Sequence, residues 1–166
     1  MDEKINKLIL NKAVQLLAQR DHSSYELTNK IIQFFTKKIK CSENEYYEQL
    51  NQLKIETADV IQYCTNQNWM NDTQYIEKYI VMRANKGYGR YKIAMELKQR
   101  GLPTNLTNKL LCMLDINWSY NAHKQLLKKF KQINAKNILE KQRIVQFLIT
   151  RGYTQDDIKD VYNLLT

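Results

Sequence analysis

Three cysteines, two histidines and one adjacent aspartate pair are the residues through which this 166-residue chain could support chemistry. Metal ligation by thiolate or imidazole needs several such side chains converging, usually through closely spaced pairs. Cys41, Cys64 and Cys112 form no C-x-x-C pair, and an odd number does not complete a disulfide framework. They read as buried or spare thiols. His22 and His123 lie in opposite halves of the chain with no Cys beside either, so no metal site is expected. Asp156-Asp157 has the composition of a carboxylate pair for acid–base work. Two acids opening a helix also answer the positive end of its dipole, and that reading carries more weight. The sequence holds no G-x-x-x-x-G-K-[ST], G-x-G-x-x-G, H-E-x-x-H or G-x-S-x-G motif. No catalytic residue, cofactor or metal is expected, and the chain does not read as an enzyme.

Binding chemistry is better represented. Lys86-Gly87-Tyr88-Gly89-Arg90 sets a tyrosine between two glycines and two cations. One reading is a contact loop offering an amphipathic ring with cations to a protein or phosphate partner. The other is a C-cap glycine followed by an N-cap glycine, with Tyr88 tucked into the core. From Met82 to Gly152 there are 15 basic and 3 acidic residues, and Lys124, Lys128 and Lys131 share one helical face. Charge and loop position select Arg20, Lys86, Tyr88, Arg90, Lys92, Lys124, Lys128, Lys129, Arg143 and Arg151 as partner-contact or DNA-contact candidates. Arg20-Asp21-His22-Ser23 reads equally well as a polar contact site or as local capping.

The charge asymmetry reads either as the complement of an anionic partner or as a solubilising surface. Residues 1–80 hold 10 basic and 11 acidic side chains, whereas residues 81–166 hold 16 and 6, so the net +9 is entirely C-terminal. Nucleic acid, an acidic protein surface or a nucleoprotein would each complement it. RNP, KH and zinc-finger signatures are missing, which favours charge contact without base readout.

The elements that position these residues read as helices throughout. Only 4 Gly and 1 Pro punctuate the chain, too few for the turns of a multi-strand fold. No apolar run approaches the roughly 20 residues of a membrane helix, and the N-terminus opens an amphipathic stretch, so a cytoplasmic location is expected. Ile5, Leu8, Ile9, Ala13, Leu16 and Leu17 trace one face of a first helix to about Gln19. Ser23…Glu26 forms a capping box for a second helix, with Leu27, Ile31, Phe34 and Phe35 inward. Ser42…Glu45 opens an acidic segment through Leu53, and Ala58, Ile61, Tyr63 and Cys64 then suggest a further helix ending at Asn68. Asn71 or Asp72 caps a helix carrying Tyr75, Ile76, Tyr79 and Ile80. Ile93, Ala94 and Leu97 mark the next, closed by Gly101; Leu106, Leu110, Met113 and Leu114 mark the one after Pro103. A basic helix from Trp118 to about Ile133 and a final pair, 137–150 and 154–165, complete the chain, with Thr154…Asp157 as a capping pair.

An internal repeat is present. A shift of 51 places Ile93, Leu97, Gly101 and Leu102 on Ile144, Leu148, Gly152 and Tyr153, and Leu110 and Leu114 on Val161 and Leu165. A shift of 66 places Ile93 and Leu97 on Leu27 and Ile31, and Ile76, Tyr79 and Ile80 on Leu10, Ala13 and Val14. The register is lost near Phe35, as an insertion would cause. The expected fold is all-α, an elongated, curved array of three tandem three-helix repeats: 1–70, with an acidic insertion at about 36–55, then 71–116 and 117–166.

Taken together, Arg20-Asp21-His22-Ser23 with Glu26-Leu27, Asn68-Trp69-Met70-Asn71-Asp72, Lys86-Gly87-Tyr88-Gly89 with Glu96-Leu97, Asp115-Ile116-Asn117-Trp118, and Phe147-Leu148 with Arg151-Gly152-Tyr153 resemble the RecX family of RecA regulators. Asn68 stands where that family usually has glycine, and Trp69-Met70 replaces a Tyr-Leu-like pair. The resemblance implies a non-catalytic negative regulator that binds the groove of the RecA–single-stranded DNA filament. It would inhibit ATPase, strand-exchange and co-protease activities, modulating DNA repair and the SOS response. The implied partners are the RecA filament and single-stranded DNA, with double-stranded DNA a further candidate. No membrane partner is implied, and a monomer is expected. Reversing Arg90 and Lys92, or Lys128 and Lys129, to Glu is expected to weaken filament binding with melting unchanged. The alternative is a stand-alone DNA-binding protein acting through a basic helical surface.

Overall fold

The computed structural model describes residues 5–134 and 136–165. Nine α-helices and no strands occur among them. The chain divides into two compact units, with the boundary in sequence between Tyr75 and Ile76.

Unit 1 contains α1 (Lys7–Gln19), α2 (Ser24–Thr36) and α3 (Glu43–Asn66), which pack on one another in all three pairings. Local chemistry sets the helix ends. Asn6 Oδ1 accepts from the amides of Leu8 and Ile9. Ser23 Oγ accepts from the Glu26 amide while the Glu26 carboxylate reaches back to the Ser23 amide, completing the capping box. Asn68 closes α3 with φ 58°, the left-handed value that Asn tolerates. The core joins Ile9, Ala13 and Leu16 to Leu27, Ile31, Leu53, Val60, Cys64 and Met70.

Several expected faces are rotated. Leu8 is 70% exposed because the inward stripe of α1 runs through Ile9, Ala13 and Leu16. Val14 is likewise exposed, so the repeat match of Val14 to Ile80 holds in helix position but not in burial. The residues of α1 that bury like Ile76 and Ile80 are Ile9 and Ala13, one step earlier, a turn of roughly 100° about the axis. Phe34 and Phe35 are only half-buried and meet edge to face, centroids 5.1 Å apart. The stretch expected as an acidic segment followed by a separate helix is one continuous 24-residue helix, α3. Nothing between Glu43 and Asn66 breaks its ladder, since the segment has neither Gly nor Pro. Its buried face passes through Leu53, Thr57, Val60 and Cys64, leaving Ala58 exposed.

The second unit holds most of α4 (Asp72–Asn85), then α5 (Arg90–Gln99), α6 (Thr104–Met113), α7 (Trp118–Lys129), α8 (Ile138–Arg151) and α9 (Gln155–Leu165). Asn71, not Asp72, caps α4, its Oδ1 accepting from the Gln74 amide. α5 packs on α6, and α9 on both α7 and α8. The repeat shift of 51 is realised in detail: Ile93 and Ile144, Leu97 and Leu148, and Leu102 and Tyr153 are all buried, and Gly101 and Gly152 both have positive φ, 74° and 92°. α7 ends at Lys129 rather than Ile133, because the backbone turns extended at Phe130. Met113 points outward, and Leu111 takes the inward place. Thr154 and Asp157 cap α9 reciprocally, amide to side chain in both directions at 3.1 Å.

Candidate interaction surface

The site candidates in unit 2 are placed by an unusual docking of helix ends. α5 begins at Gly89, which has no side chain to satisfy the orphan amides of a first turn. The end of α8 supplies the acceptors: Gly89 N–H donates to Arg151 O at 2.8 Å, and Tyr91 N–H to Gly152 O at 3.0 Å. The opposed termini satisfy each other. Backbone approaches this close exclude side chains, since a Cβ on Gly89 would fall on the Gly152 backbone and one on Gly152 would lie 2.5 Å from Lys92 Cβ. This contact brings the Lys86–Lys92 loop beside Arg151.

Tyr88 sits in that junction neither protruding nor in the core. Its half-buried ring has the Arg83 guanidinium 3.8 Å from its centroid, Arg151 at 5.0 Å and Lys92 Nζ at 5.1 Å. The ring's negative face offsets part of the repulsion among the three cations. Glu96 neutralises one of them, accepting from Arg83 Nε at 2.8 Å and Tyr79 Oη at 2.7 Å. Burial alone would push the Glu96 carboxyl up, but those hydrogen bonds and the Arg83 charge hold it below its ordinary value. Burial and the bond to Glu96 push the Tyr79 phenol up.

From Tyr88 a row of cations and rings continues along α8 and α7. Arg151 also lies 5.3 Å from the Phe147 centroid, Lys129 Nζ lies 6.0 Å from it, and Phe130 meets Phe147 edge to face at 5.8 Å. Among the described residues neither Lys92 nor Arg151 is ion-paired with a carboxylate. The expected candidates therefore separate. Lys86, Tyr88, Lys92, Arg151 and Lys129 belong to this row, with Arg151 Nη1 donating to Lys86 O at 3.5 Å. Lys124, Lys128 and Arg143 are exposed on α7 and α8.

Arg90 departs from expectation. It pairs with the buried carboxylate of Asp157 at 3.6 Å and lies 5.3 Å from the Trp118 centroid, its Nε enclosed without a hydrogen-bond partner. The pair ties α5 to α9, with the Arg90 side chain 41% exposed. Reversing Arg90 to Glu would set a carboxylate against Asp157, so unchanged melting is not expected of that variant.

Arg20 lies in unit 1 as part of a local polar cluster. Its guanidinium donates to Asp21 O at 2.8 Å and pairs with Glu26 at 3.2 Å. His22 is buried, with Nδ1 2.9 Å from Arg20 O and Nε2 3.0 Å from Lys30 Nζ. Burial is the main reason its pKa falls below 6.5, and the Arg20 and Lys30 charges add to it. Neutral imidazole with its proton on Nδ1 satisfies both contacts. The loop thus caps and braces α2, leaving Arg20 half-exposed. Among the described residues no three His, Cys, Asp or Glu side chains converge as metal ligands, and no helix is long and apolar enough to cross a membrane.

Sequence reasoning did not select Arg83, Phe130 or Phe147. Phe147 lies one turn before the selected Arg151 on α8, and Arg83 is linked to the selected Tyr88 through the backbone, Tyr88 N–H donating to Arg83 O at 3.1 Å.

Helices joined by glycine- and asparagine-capped turns, with a repeat between the halves of the second unit, define an all-α helical-repeat fold. Residues 71–111 match the family model described as RecX, second three-helix domain, and residues 121–162 that of the third three-helix domain. A regulatory protein RecX from Salmonella heidelberg (strain SL476) is 32% identical over 154 residues, 93% of this chain and 89% of that protein. One from Yersinia enterocolitica serotype O:8 is 33% identical over 162 residues, covering 93% and 96%. The crystal structure of RecX from Lactobacillus salivarius superposes with a TM-score of 0.75 at 17% identity, covering 96% of this chain and 95% of that one. The chain belongs to the RecX family of regulatory proteins.

Proposed function

We propose that this protein is a non-catalytic negative regulator of the RecA recombinase, acting in the cytoplasm on the RecA–single-stranded DNA filament. In this reading it lies in the filament groove through three units, 1–70, 71–116 and 117–166, and suppresses ATP hydrolysis, strand exchange and co-protease activity. DNA repair and the SOS response would be modulated as a result. Beyond family membership, the observation that carries the reading is the cation and aromatic row of Lys92, Tyr88, Arg151, Phe147 and Lys129, in which, among the described residues, neither Lys92 nor Arg151 is ion-paired with a carboxylate. Such a row suits a filament that combines DNA phosphates with acidic protein surface.

The test is steady-state ATP hydrolysis by the cognate RecA on single-stranded DNA while this protein is titrated from far below to equal stoichiometry. Inhibition is expected at low ratios, because a ligand of a polymer acts on more than the protomer it touches. No inhibition by folded protein at any ratio overturns the reading. The same row favours one second reading, a stand-alone DNA-binding protein. Steeply salt-dependent binding to DNA without RecA is its signature.

A further inference from the structure

An apolar groove of about 1080 Å³ lies beside α7 and α8, walled by Phe130, Ile138, Leu139 and Phe147. Ile138 is 73% and Leu139 67% exposed, values unusual for two adjacent large aliphatic residues. Lys129, Lys141 and Arg143 stand on its rim, all exposed. A groove with an apolar floor and a basic rim selects an acidic amphipathic helix.

This chain carries one. The exposed side of α3 presents Glu48, Ile55 and Asp59 opposite the buried stripe of Leu53, Thr57, Val60 and Cys64, with Glu43, Tyr47 and Lys54 exposed toward one edge. Tyr47 is 61% and Ile55 58% exposed. They lie eight residues, just over two turns, apart on adjoining parts of the exposed side. Glu48 and Asp59 stand beside Ile55, and α3 as a whole carries five carboxylates against the single cation Lys54, complementary in sign to the cations that line the groove.

We propose that the acidic face of α3 in one copy seats in the basic-rimmed groove of α7 and α8 in a second copy, so that the protein self-associates head to tail. The two surfaces differ, so the contact is heterologous and repeats from copy to copy into open chains unless its rotation closes a ring. The charges that drive it are exposed, so the association is reversible and weakens with salt. It needs no recombinase and no DNA, and because Phe147 and Lys129 belong both to this groove and to the row described above, a seated α3 covers part of that row.

Sedimentation velocity of the full chain at low salt tests it. The weight-average sedimentation coefficient is expected to rise with protein concentration and to return to the monomer value at high salt. Two triple variants probe the two faces: Glu43→Lys/Glu48→Lys/Asp59→Lys, and Lys129→Glu/Lys141→Glu/Arg143→Glu. Each alone is expected to stay monomeric, with helicity by circular dichroism as the control for folding. An equimolar mixture is expected to associate again, because both contacts regain opposite charges. A wild-type protein that stays monomeric at every concentration overturns the proposal. Association that survives either reversal, or a mixture that fails to associate, does so as well.

Discussion

The Tyr153 hydroxyl is buried between α8 and α9 without a hydrogen-bond partner, an arrangement that costs free energy relative to solvated phenol. Burial pushes its pKa well above the ordinary tyrosine value, so it stays neutral through any physiological pH. Tyr153→Phe removes only the unsatisfied oxygen. The variant is expected to be as stable as wild type or up to about 1 kcal/mol more stable in urea unfolding; a loss of that size would mean the hydroxyl is bonded in solution. His22 has the opposite character, since its neutral ring is used. Its folded pKa lies below 6.5, so the unfolded chain binds the proton more readily and stability rises with pH across that interval. The contribution is intact above pH 6.5 and is lost as pH falls from 6.5 toward the folded value. Urea midpoints at pH 7.5 and pH 6 should differ in wild type, and the difference should shrink in His22→Gln. An equal difference in both proteins assigns the pH dependence to other groups.

Helix ends were legible in the sequence because capping is local chemistry. Ser23 with Glu26, Asn68, Gly101, and Thr154 with Asp157 all end or begin helices where residue type and spacing place them. Helix faces were less legible, because which side turns inward is decided by the partner helix. Leu8, Val14, Ala58 and Met113 fit a 3.6-residue period yet face solvent. The candidate surface divides in the same way. Lys86, Tyr88 and Arg90 announce themselves through the flanking glycines, but only the docking of α5 on α8 decides that Tyr88 meets Arg151 while Arg90 turns to Asp157. Glycine at 152 makes that docking possible, and its replacement measures it. Gly152→Ala combines a φ of 92° with a clash against Lys92 backbone and Cβ, and is expected to cost about 2–5 kcal/mol in thermal or urea unfolding. Gly87→Ala, also at positive φ, meets first the buried side chain of Gln125 rather than backbone and should cost less, about 1–3 kcal/mol. Equal losses for the two would remove the α5–α8 contact as the reason for glycine at 152.

At the scale of the molecule, the excess charge divides between the two compact units as it does along the chain, because the boundary near residue 75 almost coincides with the change in composition. Residues 81–166 carry 16 basic and 6 acidic side chains, so a polyanionic partner is drawn mainly to the second unit. Attraction of this kind has two sources that salt separates. Lysines contacting phosphate release counterions, and the logarithm of the binding constant falls with the logarithm of salt by about 0.7 per contact on a single strand. Lysines contacting acidic protein side chains release no condensed counterions and contribute a shallower, screening-type dependence. Lys128 and Lys129 suit the comparison, since both are exposed in the last turn of α7 and neither is ion-paired among the described residues. On the function proposed above, Lys128→Gln/Lys129→Gln should leave the melting temperature unchanged and weaken binding to the RecA–DNA filament by about tenfold, corresponding to roughly 1.4 kcal/mol. If both lysines reach DNA, the salt slope falls by about 1.4; if they reach RecA, affinity drops while the slope stays close to wild type. Filament affinity and slope both unchanged would take this end of α7 out of the interface, leaving the Tyr88–Arg151 junction to carry the contact alone.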